Sequence, residues 1–143
     1  MAIYFYKMKD EYGCFSNFAE YEFSENGMKY KTSEHYFQSK KFEGTDAELE
    51  VINAKSPMKS AILGRDRTKP LRQDWEMIKD DVMRQAVLLK FSQNESIKTI
   101  LLSTGNEDIV EKTTDDYYWG CGTDGTGKNM LGKILVEVRE ILK

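Results

Sequence analysis

Apolar residues alternate in short runs over the first thirty positions, then recur at three- and four-residue spacing, so the pattern predicts strands first and helices afterwards. Alternation over 3–7 predicts an opening strand. Residues 21–23 and 28–30 flank Asn26-Gly27, a pair suited to the positive φ angles of a tight hairpin. A helix follows from Thr32 or Ser33 to about Phe42, with Gly44 as its stop. Asp46 caps a second helix to about Ala54, and Ser56-Pro57 opens a third that ends at Gly64. Asp74 caps the longest helix, 75–91, whose expected apolar face is Trp75, Ile78, Val82, Ala86 and Leu89. Asn94 caps a shorter helix to Leu102, Ile109-Val110 reads as a strand, and a last helix runs over 129–142. The expected architecture is α+β and helix-rich, with short N-terminal strands and a hairpin packed against several helices.

Length and composition narrow the classes. At 143 residues, with no Gly/Ser-rich linker and no repeat, the chain is expected to form one compact domain over 1–143. Seventeen aromatics and a net charge of only −3 favour a folded core over disorder. No apolar run is long enough for a membrane span, and the first residues lack a secretory signal, so a cytoplasmic location is expected. Two cysteines and one histidine give no disulfide framework and no familiar zinc quartet, so neither metal nor cofactor is expected. The slightly acidic balance argues against broad electrostatic binding to nucleic acid.

Five segments carry unusual chemistry. In 12–18 (YGCFSNF), Asn17 offers both a donor and an acceptor, while Phe15 and Phe18 can anchor the loop to the core. In the helix from 33, Glu34, Gln38 and Lys41 share one face, and the first-turn position of Glu34 favours its ionised form. That suits a base or an electrostatic stabiliser. His35 is expected to be a packing or surface histidine. Four cations, Arg65, Arg67, Lys69 and Arg72, follow the third helix, where an arginine fork matches a phosphate. Trp75 opens the long helix on its apolar face, able to edge a pocket. Residues 122–128 satisfy GxxxxGK, but Asn129 stands where a hydroxyl should meet magnesium and too few residues follow for a parallel sheet. An anion site at the start of the last helix is what remains of that motif.

These segments in this order resemble the NADAR (YbiA-like) family: YGCFSNF, TSEHYFQ at 32–38, GRDR at 64–67, RQDW at 72–75, and DYYWG followed by GTGKNMLG over 116–132. The resemblance runs from about residue 4 to 142. It implies an N-glycosidase acting on phosphorylated ribosylamino-pyrimidine intermediates of riboflavin synthesis. An alternative implied by other members is removal of ADP-ribose from guanine in nucleic acid. A third reading is a non-catalytic module that binds ADP-ribose or a nucleotide. By resemblance Glu34, Asp116 and Trp75 are the expected catalytic positions, and Asn17, Arg65 and Arg67 fall in pocket motifs. Phe15, Gln38, Trp119, Lys128 and Asn129 complete the expected substrate-binding set. The expected partner is a small phosphorylated riboside or ADP-ribosyl compound, with nucleic acid only under the alternative. Cleaving a ribosyl C–N bond builds positive charge on the sugar, which one carboxylate stabilises while another takes a proton from water.

Overall fold

The computed structural model describes residues 2–143. The chain runs through β1 (Ala2–Phe5), the hairpin strands β2 (Phe23–Glu25) and β3 (Met28–Tyr30), and helices α1 (Ser33–Lys40), α2 (Asp46–Ile52) and α3 (Pro57–Gly64). It continues through α4 (Trp75–Ser92), α5 (Glu95–Ser103), β4 (Asp108–Glu111) and α6 (Met130–Leu142). This is the expected helix-rich α+β domain.

Local chemistry explains most boundaries. Asn26 (φ 52°) and Gly27 (φ 83°) take the left-handed turn that matches the twist of the β2–β3 hairpin. Thr32 caps α1 by accepting the His35 backbone N–H, and Ser56 caps α3 by accepting from Lys59, with Pro57 next in line. Three expected caps act otherwise. Asp74 is drawn into an ion pair with Arg72 at 2.6 Å. Asn94 donates to the carbonyls of Glu22 and Lys90, tying α4 to the segment before β2. Asp46 lies inside the first turn of α2, one residue after the position the sequence suggested.

β1 and β4 form a parallel pair, Ala2 opposite Asp108 through Phe5 opposite Glu111. Such a pair requires a crossover, and here it contains nearly every other element. α6 covers β4 and packs on α4, bringing Leu131, Ile134, Leu135 and Val138 against Phe5, Ile109 and Phe91. Each of those buried side chains contributes about 1.5–3 kcal/mol of transfer free energy. The face of α4 is turned relative to the expected one. Trp75 and Ala86 are buried, but Met83, Val87, Lys90 and Phe91 join them, while Ile78, Val82 and Leu89 stay at the edge. The helix is gripped by α1 on one side and α6 on the other, which widens its buried stripe. Lys90 is reconciled with that interior by donating to the Ser16 carbonyl at 2.9 Å, and burial pulls its pKa down to about 7.

Candidate active site

Glu34 and Asp116, 82 positions apart in sequence, line one cavity of about 320 Å³ together with Asn17, Gln38, Lys41, Arg65, Glu111 and Trp119. The cavity lies between α1, the end of α3, the 16–18 loop and the segment after β4.

The α1 wall is held from its N-terminal end. The Asn17 carbonyl accepts the Glu34 backbone N–H at 3.1 Å, and the Ser33 hydroxyl donates to Asn17 Oδ1 at 2.7 Å. The amide of Asn17 therefore faces the cavity with one acceptor already engaged. One turn along, Gln38 Nε2 donates to Glu34 Oε2 at 2.7 Å. Gly64 makes room for Gln38, since a Cβ there would collide with its Oε1. Lys41 closes the row, donating to the Gly64 carbonyl at 3.2 Å.

Burial changes the electrostatics expected from the helix terminus. Glu34 is only 8% exposed, and desolvation raises its pKa despite the Gln38 bond and the cations of Lys41 and Arg65. The helix dipole favours the ionised form, but the cost of removing the charge from water outweighs it. Lys41 responds in the opposite sense, lowered mainly by burial although Glu34 holds it up.

Asp116 is presented by a hydrogen-bonded turn. Its Oδ1 accepts the backbone N–H groups of Trp119 (2.8 Å) and Tyr118 (3.0 Å), while its carbonyl accepts the Thr113 hydroxyl. Thr113 also accepts from Gly122 N–H, so the turn is locked to the glycine-rich stretch. The indole of Trp119 forms an aromatic wall edge-on to Phe37, at 5.3 Å.

Other expected site residues sit further out. Trp75 is buried, packed edge-on against the far side of Phe37 at 5.0 Å. It borders an adjoining cavity of about 490 Å³ that shares Lys41 and Arg65 with the first and also contains Arg67. Of the four clustered cations, Arg72 is paired with Asp74 and Glu43, and Lys69 with Glu50. Arg65 and Arg67 have no carboxylate partner among the described residues, which leaves their forks available to a ligand. Asp66 engages Thr68 instead of an arginine.

Three further expected ligand contacts are brought to neither cavity. Phe15, 1% exposed, packs between Phe5, Tyr12 and Phe91, because the short 3₁₀ turn at Gly13–Phe15 aims it inward. Lys128 is exposed with its ammonium 5.4 Å from the Tyr118 ring centroid. Asn129 takes a left-handed backbone and bonds β4 instead, accepting from Glu111 N–H and donating to the Ile109 carbonyl. The GxxxxGK spelling thus encodes a structural latch. His35 is likewise structural, spanning Thr32 and the Ala54 carbonyl. The charged lining residues Lys41 and Glu111 were not among those expected. Lys41 was legible from its helical spacing with Glu34 and Gln38, whereas nothing in the local pattern marks Glu111.

A buried Glu34 and a half-buried Asp116 beside an aromatic wall, with unpaired Arg65 at the rim, form a hydrolase site suited to a substrate that becomes cationic as it reacts. The NADAR domain family model matches residues 4–143, and the chain belongs to that family. It is 47% identical over 140 residues to N-glycosidase YbiA of Escherichia coli (strain K12), covering 98% of this chain and 88% of that protein. N-glycosidase Npun_R5314 of Nostoc punctiforme is 44% identical, covering all of this chain and 94% of its own. The maize chloroplastic riboflavin biosynthesis protein PYRR is 41% identical over 98% of this chain, which spans 25% of that protein. The NMR structure of E. coli YbiA superposes with a TM-score of 0.91 at 46% identity, over 99% of this chain and 84% of the other. The chain is an N-glycosidase, a hydrolase of N-glycosyl bonds, and the reading as a silent binding module falls away. No helix among the described residues is long and apolar enough to cross a membrane.

Proposed function

We propose that this N-glycosidase hydrolyses a phosphorylated ribosylamino-pyrimidine of the riboflavin route, releasing ribose 5-phosphate and the free aminopyrimidine. The observation that carries the reading is that Glu34 and Asp116 line one cavity together with Arg65. Its enclosed volume of about 320 Å³ is at the small end of ligand pockets, matched to a ribose with a single-ring base. The relative named for riboflavin biosynthesis supports the same substrate class.

In this mechanism the ribose lies between the two carboxylates and its 5′-phosphate engages Arg65, with Arg67 beyond. Asp116, fixed by two backbone N–H donors, faces the sugar and stabilises the oxocarbenium charge. Glu34 orients water and takes its proton. The raised pKa of Glu34 makes it a stronger base than an exposed carboxylate. Trp119 gives the base a flat apolar surface, and Trp75 supports the site through Phe37.

Product analysis tests the reading. Release of ribose 5-phosphate from ribosylaminouracil phosphate is the expected result. Release of ADP-ribose from ADP-ribosylated guanosine in DNA, with the smaller substrate untouched, would transfer the assignment to the ADP-ribosyl alternative.

A further inference from the structure

Glu111 is the last residue of β4, and its main chain is fixed on both sides. Its N–H donates to Asn129 Oδ1 at 3.0 Å, and its carbonyl accepts from Thr113 and Cys121. The side chain is half-buried, and its carboxylate has no hydrogen bond or ion pair among the described residues. It lies where two cavities meet. One is the cavity of Glu34 and Asp116; the other, about 590 Å³, is walled by Tyr6, Met8, Phe18 and Met58, with Lys7 and Lys9 alongside. The two share Ser16, Phe18, Arg65 and Glu111.

We propose that Glu111 is the general acid of the reaction, protonating the glycosidic nitrogen as the base departs toward the second cavity. The step balances. The C–N bond breaks with its electron pair going to nitrogen, which takes the Glu111 proton. Water then forms the new C–O bond and gives its proton to Glu34; return of that proton to Glu111 through solvent completes the cycle. An acid for this task must hold its proton near neutral pH. Burial, with Asp116 and Glu34 nearby, pushes the Glu111 pKa up to about 7. The charged groups sharing its two cavities are Glu34 and Lys41 of the α1 wall, Asp116 after β4, Arg65 at the end of α3, and Lys7 and Lys9 after β1. Burial first, then Asp116 and Glu34, raise the proton affinity of Glu111.

The proposal rests on the phosphorylated ribosylamine reading, and its test separates the two. N-aryl ribosylamine 5-phosphates with aniline or 4-nitroaniline as leaving group differ in their need for a proton at nitrogen. Glu111→Gln should lower turnover of the aniline compound about a hundredfold and of the 4-nitroaniline compound less than about tenfold. The wild-type fall in activity above about pH 7 should vanish in the variant. Glu111→Asp, which keeps an acid, should keep the wild-type ratio between the two compounds, and thermal melts confirm that each variant is folded. Equal losses on both compounds, or no loss, would overturn the assignment. Wild-type enzyme that cleaves the aryl pair but not ribosylaminouracil phosphate removes the substrate reading while Glu111 is still judged on the pair.

Discussion

Gln38 donates one N–H to the Glu34 carboxylate at 2.7 Å, and its own Oε1, buried beside Gly64, has no partner among the described residues. An orphaned acceptor in the interior costs about 1–3 kcal/mol. The same amide fixes the orientation of the buried Glu34 carboxylate.

Removing the Gln38 donor should raise the Glu34 pKa further, since the bond favours the ionised form. In Gln38→Leu the acidic limb of the kcat profile is therefore expected to move to higher pH, with activity on that limb reduced about tenfold. An unmoved limb would show that Gln38 does not tune Glu34. Glu34→Gln removes the carboxylate altogether and, with Glu34 as the proposed base, should cost at least about a hundredfold in kcat while the melt remains cooperative.

The arginines separate phosphate recognition from general packing. Arg65→Ala should weaken a phosphorylated substrate roughly ten- to a hundredfold more than its dephosphorylated analogue, the scale of a charge-assisted contact of about 1.5–3 kcal/mol. Arg65→Lys should recover only part of this, because an ammonium cannot reproduce the fork. Arg67, which borders only the adjoining cavity, should show the smaller selective loss. Equal effects on both substrates would move the phosphate elsewhere.

Glu111 also predicts how stability depends on pH. Its folded pKa, about 7, stands above the ordinary value of 4.5, so between these values the unfolded chain sheds a proton that the folded chain retains. Stability from this group is full below about 4.5 and is lost as pH rises through about 7. Glu111→Gln should therefore melt like wild type near pH 4 and be more stable by about 2–3 kcal/mol near pH 8. Denaturant unfolding at the two pH values checks the difference; an identical gap at both would contradict it.

Asn129 offers the contrast between latch and ligand. Asn129→Ala removes two hydrogen bonds to β4 and should destabilise the fold by about 1–3 kcal/mol, with KM unchanged in the folded fraction. A rise in KM without loss of stability would return Asn129 to the binding site.

What the sequence made legible was whatever local chemistry determines. Asn26-Gly27 turned the hairpin and Ser56-Pro57 with Gly64 bounded α3 as expected, because turn dihedrals and caps act over a few residues. The joining of Glu34 with Asp116 was legible only through their motifs, not through spacing. Glu111 was illegible because its position depends on β4 lying beside β1, a pairing that no local pattern announces. Phe15 and Asn129 show the opposite failure. Each sits in a chemically suggestive motif, yet the backbone around it aims the side chain at the protein's own core or strand.

The parallel pairing of β1 with β4 has a consequence for the order in which the enzyme comes into being. On the ribosome β1 emerges well before β4, with about a hundred residues of chain to close between them. Glu111 and Asp116 follow only then, so the nascent chain carries Arg65 and Glu34 long before the opposing wall of the cavity exists. The cavity therefore cannot close until β4 and the segment after it have been made.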